Sequence, residues 1–144
     1  MIWKKKINTG ILNNISKNTM VQHLGIKFVE IGDDYIIATM PVDHRTIQPA
    51  GLLHGGASVT LAETLGSVAS YAFVEEEDYD VVGIEINANH LKAKRKGSGL
   101  VTGKVTPVKT GRRIHVWQIV ITDENQEKVC VSRLTTMVIE PLRK

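Results

Sequence analysis

The chain has one cysteine, no Cys-x-x-Cys pair and no apolar run behind its basic start, Met1-Ile2-Trp3-Lys4-Lys5-Lys6. Cys130 has no partner for an internal disulfide, and within Val129-Cys130-Val131 it reads as a small buried strand residue in a reduced setting. Without an export signal the glycosylation-like triplet Asn14-Ile15-Ser16 carries no weight, and a cytoplasmic location is expected. Catalytic signatures are missing too. There is no Gly-rich phosphate loop, no His-Glu-x-x-His and no Gly-x-Ser-x-Gly, since Gly56-Ala57-Ser58-Val59-Thr60 lacks the last glycine. His23, His44, His54, His90 and His115 show no metal-ligand spacing, so a metal site is not expected.

What is present describes one globular domain. The 144 residues, 42% hydrophobic and 23% charged, suit a single core spanning 1–144, with 1–18 as a peripheral N-terminal segment. Eighteen Lys and Arg against fifteen Asp and Glu leave a net charge of +3, too small to mark a nucleic-acid protein. Acidic residues crowd into Glu75-Glu76-Glu77-Asp78, and basic ones into Lys92-Ala93-Lys94-Arg95-Lys96 and Arg112-Arg113. These runs read either as solvated loops or as two basic clusters converging on an anionic ligand. No stacking aromatics accompany the cations, which argues against nucleic acid.

The stretch from Gly55 to Val74 holds one charged residue, Glu63, in twenty. A carboxylate at mid-bilayer costs about 3 kcal/mol, and Ser58, Thr60, Thr64, Ser67 and Ser70 add further polarity, so a membrane span is rejected. A buried helix fits better: Ala57, Ala62, Gly66 and Ala69 admit close approach, while Leu61, Leu65, Val68 and Phe73 fill the core. Strands are expected at 26–31, 35–42, 81–91, 100–108, 114–122 and 128–139, with a short helix near 19–24 ending at Gly25. Lys109-Thr110-Gly111-Arg112 and Asp123-Glu124-Asn125-Gln126 read as hairpin loops, and links this short imply antiparallel neighbours. The expected architecture is α+β, one long central helix wrapped by a curved antiparallel sheet.

Gln48-Pro49-Ala50-Gly51-Leu52-Leu53-His54-Gly55-Gly56 runs directly into that helix. Unpaired N–H groups at a helix start, with glycines allowing close approach, suit an oxyanion hole centred on Gly55; the spacing equally suits a tight loop-to-helix turn. Glu63 shares a helix face with Gly56, Thr60 and Ser67, where a carboxylate needs solvent, a partner or a chemical role. Alternation in the 81–91 strand sets His90 on the face of Ile84, Ile86 and Ala88, opposite Glu85, Asn87 and Asn89, where it serves either structure or chemistry.

The run from Gln48 to Ser58, followed by Ala62-Glu63, Glu85-Ile86-Asn87-Ala88-Asn89-His90 and Ser132-Arg133-Leu134-Thr135-Thr136, resembles the hotdog-fold acyl-CoA thioesterases. The similarity is to the bacterial branch related to 4-hydroxybenzoyl-CoA thioesterase, of the 1,4-dihydroxy-2-naphthoyl-CoA and enterobactin proofreading type, and covers nearly all the chain after Thr19. It implies two sheets joined in a homodimer, dimers assembling to a homotetramer, and active sites at the subunit interface. Glu63 corresponds to the carboxylate that acts as nucleophile or general base, Gln48 and His54 to groups that position the thioester and water, and Gly55 to the oxyanion donor. Ser67 and His90 match supporting polar positions. The CoA part of the substrate is expected along Gly83, His90, Leu91, Lys92 and Ala93 and across Lys109, Thr110, Gly111, Arg112 and Arg113. No cofactor is implied, because CoA enters with the substrate. The resemblance thus implies hydrolysis of an aromatic or medium-chain acyl-CoA; the alternatives are a non-catalytic acyl-CoA-binding domain and an enoyl-thioester hydratase or dehydratase.

Overall fold

The computed structural model describes residues 1–75 and 79–141; of the acidic run, positions 76–78 lie outside the described residues. Its elements in chain order are α1 (Thr9–Ile15), α2 (Met20–His23), β1 (Lys27–Ile31), β2 (Ile36–Pro41), α3 (Gly55–Phe73), β3 (Asp80–His90), β4 (Leu100–Thr110), β5 (Ile114–Thr122) and β6 (Lys128–Ile139). The six strands form one antiparallel sheet in the order β1-β2-β4-β5-β6-β3. Helix α3 packs on β2 through β6 with its apolar side inward: Leu61, Ala62, Leu65 and Ala69 are wholly buried, while Thr60, Glu63, Thr64 and Ser67 on the other side stay partly exposed. Gly66 lets the helix touch the sheet, since a β-carbon there would lie 2.5 Å from Leu134 Cδ2. No helix among the described residues is long and apolar enough to cross a membrane.

The buried half of α3 is anchored by a polar knot. Ser70 Oγ accepts from Trp117 Nε1–H at 2.6 Å and lies 2.6 Å from Thr136 Oγ1 and 3.1 Å from His115 Nδ1. All four side chains are buried, so each needs these bonds to offset the water it has lost. Burial holds the His115 pKa below the ordinary imidazole value, against a smaller opposing effect of the Gly111 backbone.

Three features depart from the expectations above. The first eighteen residues are not peripheral: Trp3 stacks on Trp117 with ring centroids 6.1 Å apart, and Leu12 on α1 is fully buried. Trp3 Nε1–H donates to Gly32 O at 2.8 Å, and the Lys4 N–H donates to Ala72 O at 2.8 Å, tying the segment across the end of α3. Strand β4 also runs to Thr110, so Lys109 and Thr110 belong to the ladder and the turn is shorter than expected. Finally, β3 carries a bulge between Gly83 and Glu85. Simple alternation fails there, and Ile84, expected beside His90, is instead 52% exposed. Beyond the bulge Ile86, Ala88 and His90 pair with the buried Leu134, Ser132 and Cys130, while Gly83 pairs with the buried Thr136. Gly83 and His90 therefore both lie on the helix side of the sheet.

Candidate active site

The loop before α3 is held by backbone bonds on both sides. The Gln48 N–H donates to Leu52 O at 2.8 Å, Leu53 N–H to Lys94 O at 2.7 Å, and His54 N–H to Thr46 O at 2.8 Å. Gln48 Oε1 accepts from the Ala50 N–H, so the amide NH₂ is the end left to donate. His54 is the N-cap of α3: its Nδ1 accepts from the Gly56 N–H at 2.7 Å. An accepting Nδ1 leaves Nε2 as the nitrogen that can donate. It also occupies Gly56, leaving the Gly55 N–H with no acceptor among the described residues. Beside it sits His90, whose Nε2 would lie 2.8 Å from a β-carbon on Gly55.

Gln48, Gly55, His90, Leu91, Lys92 and Ala93 line one cleft of about 380 Å³, together with Leu52, Leu53, Ser58 and Val129. The last four do not stand out in the sequence, because two loop leucines, a helix serine and the valine of β6 carry no chemistry of their own. Glu63 is elsewhere. It stands eight residues beyond Gly55, about 12 Å further along the helix axis, and lines a separate cleft with Ser67, Met20, Val21, Thr60, Thr64 and Val68. The half-buried carboxylate lies over Gly83, where a β-carbon would be 2.6 Å from Oε1. Among the described residues it has no hydrogen-bond or ion-pair partner. A single chain therefore does not bring Glu63 to Gln48 and His54.

Nor does it bring the two basic clusters together. Arg112 and Arg113 line a cavity with Tyr79, Val138 and Glu140, and Val138 N–H bonds Arg113 O at 2.8 Å, while the N–H groups of Leu91 and Lys92 bond Val129 O. Val138 and Val129 stand at opposite ends of β6, about 30 Å apart at 3.3 Å per residue. Lys92, expected to meet phosphate, is already paired. Its Nζ lies 2.7 Å from Asp123 Oδ2 and also contacts Glu127. The bond from Lys92, with smaller help from backbone N–H groups, holds the Asp123 carboxyl down to about 2, and the same contacts raise the Lys92 pKa. Gly83, expected along the CoA path, sits against the carboxylate of Glu63.

A long apolar helix cradled in an antiparallel sheet, with one carboxylate on its length and free N–H at its start, is the hotdog arrangement of thioester hydrolases. A family model described as the thioesterase superfamily matches residues 50–130. The chain is 54% identical over 139 residues to the 1,4-dihydroxy-2-naphthoyl-CoA hydrolase of Escherichia coli (strain K12), covering 96% of this chain and 100% of that one. It is 50% identical over 139 residues to the proofreading thioesterase EntH of Cronobacter sakazakii, covering 96% and 99%. A solved thioesterase from Haemophilus influenzae superposes with a TM-score of 0.93 at 52% identity, covering 99% of this chain and 98% of that one. The chain belongs to the thioesterase superfamily and is a thioester hydrolase. The binding-only and hydratase alternatives find no support in these names.

Proposed function

We propose that the protein hydrolyses an aromatic or medium-chain acyl-CoA to the free acid and CoA, at a site built from two copies of the chain. The observation that carries this reading is the Glu63 carboxylate, half-buried and without a partner among the described residues, beside a strand with a free edge. Strand β3 ends the sheet and pairs only with β6 among the described residues. At eleven residues it is long for an open edge, against five for β1 at the other end, and such an edge favours pairing. An antiparallel partner centred on Asn87, with Ile84 absorbed by the bulge, would set Gly83 of one copy opposite His90 of the other. Glu63 lies over Gly83, and Gly55 lies against His90, so this pairing draws the carboxylate of one copy toward the oxyanion donor of its partner.

The chemistry follows from those groups. The thioester carbonyl takes the Gly55 N–H, which stabilises the charge that develops on oxygen during attack. Gln48 and His54 orient the thioester and water, and Ser67 and His90 support the acyl end. Glu63 either removes a proton from a water whose oxygen adds to the carbon, or attacks the carbon itself to form an anhydride that water then cleaves to the acid; either way the C–S bond breaks, and the thiolate leaves with little need of protonation. The relatives named above act on CoA thioesters or proofread as thioesterases, and that supports CoA as the thiol portion. Assembly of such dimers into a homotetramer, a cytoplasmic setting and operation without a metal or prosthetic group complete the reading. Thiol release across a panel of acyl-CoA substrates, 1,4-dihydroxy-2-naphthoyl-CoA included, is the test. Turnover that Glu63→Ala abolishes is expected, and a Glu63→Ala variant retaining most activity would defeat the assignment.

A further inference from the structure

The tip of the β5–β6 hairpin is folded around one carboxylate. Asp123 Oδ1 accepts from the backbone N–H of Asn125 at 2.9 Å and of Glu127 at 3.0 Å. Its other oxygen faces the 91–96 segment, with Lys92 Nζ at 2.7 Å and Lys94 Nζ at 3.6 Å. The Asp123 side chain is wholly buried and that of Lys94 only 14% exposed. Lys92 and Lys94 alternate with Leu91 and Ala93; Leu91, Ala93 and part of Lys92 line the cleft that also holds Gln48, Gly55 and His90, while Lys94 is turned to Asp123. Positions 91–94 belong to neither helix nor strand. Their backbone is held by Val129 O, which accepts from Leu91 and Lys92, and by the Leu53 N–H, which donates to Lys94 O. A cleft wall with so little regular structure needs side chains to fix it.

We propose that Asp123 is a positioning residue for the hydrolysis, clamping Lys92 and Lys94 so that Leu91 and Ala93 keep the shape that receives the CoA arm. Lys92 is then a strut, engaged by two carboxylates, and not a ligand of the CoA phosphates. The proposal rests on the reading of this cleft as the CoA path. A carboxylate hydrogen-bonded to one ammonium group and two N–H groups, with a second ammonium 3.6 Å away, has little freedom to rearrange, which suits it to hold an irregular segment.

The test compares Asp123→Asn, Lys92→Met and the double variant in the full-length assembled enzyme. It reads steady-state kinetics with an acyl-CoA and the hydrogen exchange of amides 91–96. Asp123→Asn is expected to raise KM about tenfold with kcat within about threefold, and to speed exchange at 91–96. Lys92→Met should do the same, and the double variant should be no worse than the poorer single one, because both break one clamp. Lys92→Met keeps the bonds of Asp123 to the hairpin tip and to Lys94, so it reads the clamp even where Asp123→Asn fails to fold. An Asp123→Asn enzyme whose KM falls, while that of Lys92→Met rises, would show a freed lysine binding phosphate and overturn the proposal. Unchanged exchange at 91–96 would overturn it as well. Faster exchange with unchanged KM would leave the clamp intact but remove its catalytic role, because the cleft would then not be the CoA path.

Discussion

Gly83 leaves the space that the Glu63 carboxylate fills, for a β-carbon on its backbone would lie 2.6 Å from Oε1. Contacts that short are not tolerated, so a side chain there must displace the carboxylate. Gly83→Ala is therefore expected to lower kcat by about ten- to a hundredfold, the scale on which a displacement near 1 Å acts, while the melting temperature holds. Thiol-release kinetics beside a thermal melt make the comparison; an alanine variant with full activity would separate Glu63 from the chemistry.

If the site draws Glu63 from one copy and His54 from the other, two dead variants can rescue each other. Glu63→Ala and His54→Ala, unfolded together and refolded at equal ratio, should regain about a quarter of wild-type activity. Half of the dimers would be mixed, each with one intact site. Recovery no greater than the sum of the two variants refolded separately would place all the groups within one chain.

His54 is both cap and candidate catalyst, and the two roles come apart by substitution. His54→Ala should lose activity and about 1 kcal/mol of stability, because the Gly56 N–H loses its acceptor. Asparagine caps well but has no Nε2, so His54→Asn should restore the stability and not the turnover. Urea unfolding together with kinetics reads both. Activity recovered along with stability would make the histidine a cap alone.

Stability should decline with acid in two stages. The Lys92 bond and the Arg45 bond hold the carboxyls of Asp123 and Asp43 down to about 2. Both folded values lie below the usual unfolded value of about 3.9, so these groups contribute stability that is present above pH about 4 and is lost toward pH 2. Burial lowers the His115 pKa as well, so the folded state prefers the neutral ring. Its contribution is present above the unfolded value of about 6.5 and is lost as the pH falls below it. Thermal melts from pH 8 to pH 2 should show both stages. His115→Gln should flatten the upper one and Asp43→Asn should weaken the lower one; a His115→Gln curve parallel to wild type would remove the histidine from the account.

Much of the fold could be read from the chain because its turns announce themselves. Asp123-Glu124-Asn125-Gln126 and Gly32-Asp33-Asp34 separate apolar runs, and the one long stretch with a lone charge had to be the central helix. The burial of Trp3 stayed hidden because the partners of this end of the chain, Trp117 and Ala72, lie far along the sequence. The same distance hid the pairing of Lys92, since its carboxylate is thirty-one residues away and nothing local distinguishes a strut from a phosphate ligand. Individual site residues could be picked out, yet their division between two clefts is a property of helix length: eight residues of α3 separate Gly55 from Glu63.

The bulge at Ile84 makes β3 a counting device. Seven positions separate Gly83 from His90, an odd number that would send the two to opposite sides of a regular strand. One residue absorbed by the bulge restores even parity and turns both toward α3. A single insertion or deletion between them would turn one outward and slip the pairing of β3 with β6 on one side of the change. The strand can thus tolerate changes of length only in pairs, a reading frame imposed by geometry.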